Sequence, residues 1–412
     1  MEKTYKKVTY KKVTYIFVSF YLVGSIAWFI FATKNVMEIL PFIYGKSAVK
    51  QDYTDREEES KRLAQNFFSL VNTMIISPRR WGKTSLVKNV SAQIMSENKN
   101  IRVCLLDIFN VRNENEFYVQ YAQSLVKSTS NRWEEWLENA RVFLSRLLPK
   151  ISFSPDKQAE ITFGIKWGEI KNNPDDIIDL AETIAVAKGI KLIVCIDEFQ
   201  SIGNFEDSLA FQRKLRAHWQ HHHNVGYCLF GSKRHMLFDI FANAEMPFYK
   251  FGDIMFLEKI NNKIWGAFIQ KRFKDTGKKI SRKQAEYLAL QVENHSYYVQ
   301  QLAQQAWLRT HITCSIAIID DSLQSIKNQL SLLFAGQTET LTATQLYFLR
   351  AIIDGQTTFG QEILRKYRLG TSANIIRIKN ALLSKEIIDI AMKKIEIQDP
   401  VFKLWLKEDY FT

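Results

Sequence analysis

"IISPRRWGKTSLVKNV" occupies residues 75–90, and the fold turns on how it is read. Gly82-Lys83-Thr84 has the form of the end of a phosphate-binding loop, which normally opens on a glycine five positions earlier. Ser77 stands at that position. Serine is small, and the following Pro78 restricts it to an extended backbone, so the loop tolerates the exchange. The preceding "NTMIIS" (72–77) is a short β-branched apolar run, and the following "TSLVKNVSAQIM" (84–95) places apolar residues at helical spacing. A Gly-Lys-Thr between strand and helix is the context in which the motif binds phosphate. Loop residues Ser77, Pro78, Arg79, Arg80, Trp81, Gly82, Lys83, Thr84 and Ser85 would present backbone N–H groups and a helix N-terminus to the anion. Lys83 would reach the β- and γ-phosphates, the Thr84 hydroxyl would ligate Mg²⁺, and Gly82 would let the backbone come close.

A second element lies about 110 residues downstream. "KLIVCIDEFQSI" (191–202) is an apolar strand that ends in Asp197-Glu198. In that position Asp197 would hold Mg²⁺, mostly through water, and Glu198 would polarise the attacking water as general base. By itself the stretch also reads as a buried strand whose acidic end meets solvent. Together with the loop it is a nucleotide site whose catalytic residues are Lys83 and Glu198. "IRVCLLDIF" (101–109), "VGYCLFGS" (225–232) and "DIMFLEKI" (253–260) read as further strands with helical patterns between them. The fold class is therefore α/β, a doubly wound parallel sheet. Ser232, at its strand's end, is a candidate sensor of the γ-phosphate, and Arg234 a second. Arg79, Arg80 and Lys233 also stand where they would offset phosphate charge, or else are solvated cations.

Composition agrees with a folded chain and decides little else. Of 412 residues 46% are apolar, enough for packed cores and against disorder. The net charge is +13, but six lysines and one glutamate fall in residues 1–36, leaving +8 on the other 376. That excess fits nucleotide or DNA phosphates and also many cytosolic proteins. The four cysteines, Cys104, Cys195, Cys228 and Cys314, lack the paired spacing of a zinc site or disulfide framework and read as buried thiols in a reducing cytosol. In "RAHWQHHH", His218 and His222 share a helix face, which leaves open a metal pair or the plain end of an amphipathic helix.

The N-terminus is of another kind. After the tandem "YKKVTYKKVTY" come nineteen residues without charge, Tyr15 to Thr33, long enough to span a bilayer. The lysines before this run outnumber those close after it, so the positive-inside bias keeps the N-terminus in the cytosol and would export the rest, away from ATP. A start at Met37, with 1–36 as upstream sequence, removes that conflict and ranks first; a membrane anchor through 15–33 ranks second.

These stretches together resemble the archaeal-type ATPases, P-loop proteins of the AAA+/STAND assemblage. The resemblance is carried by "PFIYGK…YTDREEE" (41–59), "SPRRWGKTSL" (77–86), "IVCIDEFQSI" (193–202), "YCLFGSKRHMLFDIF…PFYKF" (227–251), "HSYYVQQLAQQAW" (295–307) and "DPVFKLWL" (399–406). It implies a P-loop core over 37–258, a helical lid over 259–338 and a winged helix over 339–412. It also implies that "PFIYGK" and "TDREEE" approach adenine and ribose, placing Phe42, Tyr44 and Arg56 on that side. Where relatives carry a Gly-x-Pro signature in the lid, this chain has Asn294-His295-Ser296. Residues 131–170 are an insertion, an amphipathic helix and a hairpin, which reads as a flap on the core or as a contact for a protein partner.

From Leu341 the rhythm gives three helices, the third capped by Thr371 or Ser372, then an alternating hairpin: a winged helix. Its third helix suits a DNA major groove, with Asn374, Arg377 and Lys379 as contacts and Lys393 and Lys394 of the wing on phosphate. The other reading packs the module on the nucleotide domain as a lever. The expectation is an intracellular ATPase that hydrolyses ATP slowly with Mg²⁺ as a nucleotide-dependent switch. The alternatives are a DNA-binding ATPase of origin-recognition logic and a membrane-tethered scaffold without turnover.

Overall fold

The computed structural model describes residues 40–48, 53–54, 56–129, 174–391 and 394–412. The chain divides into Met1–Ile39 and Leu40–Thr412, and every described element belongs to the second unit. The apolar run 15–33, the insertion 131–170 and Lys393 lie outside the described residues. Among the described residues, no helix is long and apolar enough to cross a membrane.

Five strands form one sheet: β1 (Thr73–Ile76), β2 (Ile101–Asp107), β3 (Lys191–Asp197), β4 (Val225–Gly231) and β5 (Asp253–Phe256). Their order is β2-β3-β4-β1-β5, and every pairing is parallel. The strands are near-continuous apolar runs because helices cover both faces, so both sets of alternating side chains need burial. Along β1, Met74 and Ile76 enter one core while Ile75 enters the other. The Ile75 face is covered by α1 (Glu57–Phe68) and α2 (Lys83–Glu97). The opposite face is covered by α3 (Glu114–Thr129), α4 (Pro174–Ile178), α5 (Leu180–Lys188), α6 (Ser208–Trp219) and α7 (Arg234–Ala242).

Sheet order places the site. The phosphate-loop strand β1 and the acidic strand β3 are separated by β4. Ile76 is level with Gly231, and Ile196 with Leu229. The residues just past three adjacent strand ends, Ser77, Ser232 and Glu198, therefore emerge at one edge. This is the carboxyl edge of a parallel sheet, where such folds bind ligands.

A four-helix lid follows: α8 (Asn262–Asp275), α9 (Arg282–Gln291), α10 (Ser296–Arg309) and α11 (Ile316–Glu339). Then come α12 (Ala343–Ile353), α13 (Gln361–Lys366), α14 (Ser372–Ser384), the antiparallel wing β6 (Ile388–Ala391) and β7 (Lys394–Ile397), and a closing helix α15 (Pro400–Trp405). Thr371 is the cap of α14, its hydroxyl accepting from the Asn374 N–H. Ser281 and Thr342 close capping boxes at the starts of α9 and α12. Lid and winged helix share one apolar core, in which Phe334 of α11 packs on Phe402 and Trp405 of α15.

Candidate nucleotide site

Gly82 begins the site because its backbone sits at φ 95°, a conformation an L side chain rarely adopts, and it caps α2. The first turn of α2 carries no acidic residue, so the positive end of the helix dipole is left for an external anion. A cavity of about 620 Å³ opens above it. Lys83 is buried there and donates from Nζ to the carbonyls of Ser77 (3.1 Å) and Pro78 (2.8 Å). Burial pushes its pKa down to about 8, against the pull of Asp197 and Glu198.

Thr84 Oγ1 donates to Asp197 Oδ2 at 2.8 Å, joining the loop to the acidic strand. Burial raises the Asp197 pKa to about 6, although the Thr84 bond opposes this. A hydroxyl and a carboxylate, both hard oxygens, meet half-buried on the cavity wall, where burial disfavours the bare carboxylate charge. That donor set fits Mg²⁺.

Glu198 takes φ 57°, uncommon for a residue with a side chain, and its carboxylate turns toward β4. One oxygen accepts from Gln200 Nε2, from Ser232 Oγ (2.8 Å) and from the Ser232 N–H (3.3 Å). This arrangement requires Gly231, because a Cβ there would stand 1.9 Å from Gln200 Oε1. Ser232 Oγ also accepts from Arg79 Nε at 3.2 Å, and the same Nε lies 2.8 Å from Glu386 of the winged helix.

On the opposite wall Tyr44 meets lid Tyr297 edge-on, 5.7 Å between ring centres, and the Arg80 guanidinium lies 4.6 Å from the centre of the same Tyr297 ring. The missing Gly-x-Pro does not keep the lid away, since Ser296 and Tyr297 line the cavity. Glu293 and Asn294 make the preceding turn with φ 51° and 56°, values usually left to glycine. His295 is buried and neutral, its pKa pushed down to about 3 by that burial.

Not every expected site residue faces the cavity. Phe42 does not: it is buried against Phe268 and Phe273 in the lid core, where an aromatic ring gains more area than at a wet rim. Arg56 lines the cavity, but its guanidinium is engaged by the Trp81 carbonyl (3.1 Å), the Glu258 carbonyl (2.7 Å) and Glu59 (2.8 Å). It pins the loop to the lid linker. Ser85 accepts from the Ala48 N–H at 3.0 Å, tying down the segment before α1. Trp81 and Thr84 remain on the cavity wall. Arg234 lies off that wall and pairs with Asp389 of the wing at 2.8 Å, because an acid of β6 reaches it. Gln200 and Tyr297 lie in the stretches that carry the resemblance but were not singled out there, and Glu386 and Asp389 had no signal in the sequence beyond their residue types.

Among the DNA candidates, Asn374 donates its amide to the Leu369 carbonyl at 2.9 Å, which closes the turn before α14. Arg377 is exposed, Lys379 covers the Phe359 ring at 5.4 Å, and Lys394 pairs with Glu396 at 2.6 Å. The four cysteines are buried free thiols. His218 and His222 both bond Asp179 Oδ1, at 2.8 and 3.0 Å, and among the described residues no cluster of three or more His, Cys, Asp or Glu side chains is arranged to hold a metal.

A family model described as a probable winged helix domain matches residues 333–408. No curated protein matches the chain by sequence. A Walker-type ATPase of Pyrococcus abyssi superposes with a TM-score of 0.60 at 17% identity, covering 89% of this chain and 99% of that one. The ORC2 protein of Aeropyrum pernix, in ADPNP and ADP complexes, gives a TM-score of 0.55 at 14% identity, covering 85% and 93%. Its ADP form gives 0.51 at 14%, covering 84% and 92%. The chain thus shares the fold of these structures: a parallel α/β core of P-loop type, a helical lid and a C-terminal winged helix.

Proposed function

We propose that the protein binds ATP, hydrolyses it slowly to ADP and phosphate, and uses the nucleotide state to set the position of its lid and winged helix. The observation that carries this reading is the Thr84–Asp197 bond, which brings the loop hydroxyl and the acidic strand together beside Lys83. Thr84 and Asp197 would hold Mg²⁺, which when bound offsets phosphate charge. Lys83 would exchange its two carbonyl partners for phosphate oxygens. Glu198 would take a proton from the water that attacks the γ-phosphorus, and the bond to the bridging oxygen of ADP would break. Before it does so, Glu198 must release the donors on its carboxylate, Gln200 and Ser232. That supports slow turnover. The adenine would lie on the side of the cavity where Tyr44 and Tyr297 meet.

Duplex DNA is the second reading. The wing base docks through its acids, Glu386 and Asp389, and Ile376 and Arg377 of α14 remain exposed. Titration with ATP and ADP in Mg²⁺, and phosphate release with and without duplex DNA, test both readings. Absence of nucleotide binding would overturn the first. Stimulation by DNA whose affinity falls with salt would favour the second.

A further inference from the structure

We infer that Arg79 is the arginine that meets the γ-phosphate, supplied in cis by the phosphate loop, and that Glu386 of the winged helix holds its guanidinium until ATP displaces it. The inference rests on the ATPase reading above and names the residue that completes it.

The arginines around the site separate by what they touch. Arg56 is buried and engaged with main-chain carbonyls. Arg80 lies over Tyr297, on the side where the adenine would lie. Arg234 is off the cavity wall and paired with Asp389. Arg79 alone among these touches the catalytic end: its Nε lies 3.2 Å from Ser232 Oγ, which donates to Glu198 at 2.8 Å. The guanidinium is therefore one hydroxyl removed from the general base. A γ-phosphate must lie between Lys83 and the water that Glu198 activates, so its outer oxygens would face Arg79.

Glu386 stands in for that anion. Its carboxylate is 2.8 Å from Arg79 and 3.7 Å from Lys233, the residue after Ser232. Its charge is also felt by Lys83, where it helps to keep the ammonium protonated. One carboxylate thus interacts with three cations that a γ-phosphate would neutralise. The Glu386 side chain is 18% exposed against 46% for Arg79, so the acid is the more enclosed partner. Its backbone sits at φ 56° in the turn between α14 and β6. ATP carries the competing group and ADP does not. ATP would take the guanidinium, break the Glu386 pairs and free this corner of the winged helix, while the Arg234–Asp389 pair still ties the wing to the core. In hydrolysis water adds to the γ-phosphorus, its proton goes to Glu198 and then to solvent, and ADP leaves. Arg79 would stabilise the charge on the transferring phosphoryl oxygens.

The test uses the full chain with Arg79→Ala, Arg79→Lys and Glu386→Gln. Single-turnover hydrolysis should fall about 10²-fold or more in Arg79→Ala, with ADP affinity kept within about twofold. Trapping of ADP with aluminium fluoride, a mimic of the transferring phosphoryl group, should be lost. Arg79→Lys keeps charge without the fork and should recover only part of the rate. Glu386→Gln should tighten a non-hydrolysable ATP analogue about two- to fivefold while leaving ADP unchanged, the range of a partly exposed ion pair. Mixing Arg79→Ala with a Lys83→Ala chain, which retains Arg79, should restore nothing. Restored turnover would mean the arginine acts in trans and would overturn the assignment in cis. Unchanged hydrolysis in Arg79→Ala, or equal loss of ATP and ADP binding in both Arg79 variants, would also overturn it. If the wild-type chain binds ATP without turning it over, the hydrolysis reading fails alone. The preference for ATP analogue over ADP must then still fall in Arg79→Ala, and its persistence would sink the inference.

Discussion

Replacing Arg56 by alanine separates a structural pin from a nucleotide contact. The side chain is buried at 3% exposure and crosses from the start of α1 to the phosphate loop and to the linker after β5. Two bonds run from a charged donor to carbonyls, at 3.1 and 2.7 Å, and an ion pair to Glu59 adds a third contact at 2.8 Å. Bonds to charged groups contribute about 1.5–3 kcal/mol each. The two carbonyls can recover water in part, so the lower value applies and the loss is about 3 kcal/mol. Arg56 also sits at φ 75°, which disfavours any side chain by about 1–2 kcal/mol. Arg56→Gly should therefore be the milder change by about 1 kcal/mol. Chemical unfolding without nucleotide measures the loss directly. A change within about 0.5 kcal/mol, accompanied by weaker ATP binding, would refute the pin and return Arg56 to the adenine side.

Three further outcomes follow from the same geometry. Lys83→Ala should weaken ATP binding about 10- to 150-fold, the equivalent of a charge-assisted contact of roughly 1.5–3 kcal/mol, as read by calorimetric titration. Asp197 holds its proton up to about pH 6, above the ordinary carboxylate value of 3.8. Its protonated form thus favours the metal-free fold below the ordinary value, and that contribution is lost as pH rises through about 6. Mg²⁺ needs the ionised form, so its affinity should rise with pH to about 6, then level off, and Asp197→Asn should abolish this dependence. Glu198→Gln should lower turnover by about 10²–10⁴ while ATP binding persists, and full turnover in that variant would move the general base elsewhere.

Local patterns were readable from residues alone. Gly82-Lys83-Thr84 between β1 and α2, and Asp197 at the end of β3, lie where hydrophobic runs and helical periodicity place them, because both motifs are set by neighbours in the chain. The winged helix was readable for the same reason, down to a cap at Thr371 or Ser372, of which Thr371 is the one used. Phe42 and Arg234 were misread because an aromatic near a base-binding segment and an arginine after a sensor serine have the right types. Their orientation depends on Phe268, Phe273 and Asp389, which are far away in sequence. Gln200 and Glu386 escaped for a related reason. A glutamine two residues past Glu198 has no pattern of its own, and Glu386 reaches Arg79 across some 300 residues of chain.

The contacts within the site bear on why a site with this loop and this acidic strand would turn over slowly. Lys83 is bonded to loop carbonyls, Glu198 to Gln200 and Ser232, and Arg79 to Glu386. Each group that the proposed reaction needs is held by a protein partner. ATP must replace these partners together, and only the γ-phosphate offers an anion to Arg79 and Lys233 where Glu386 now stands. Binding energy used to break such contacts cannot also lower the barrier to hydrolysis. It appears instead as a difference between the ATP and ADP states, which is what moves a two-state element. With lid and winged helix sharing one core, a change at Glu386 acts on both at once. On this reading the slow rate and the switch have the same physical origin.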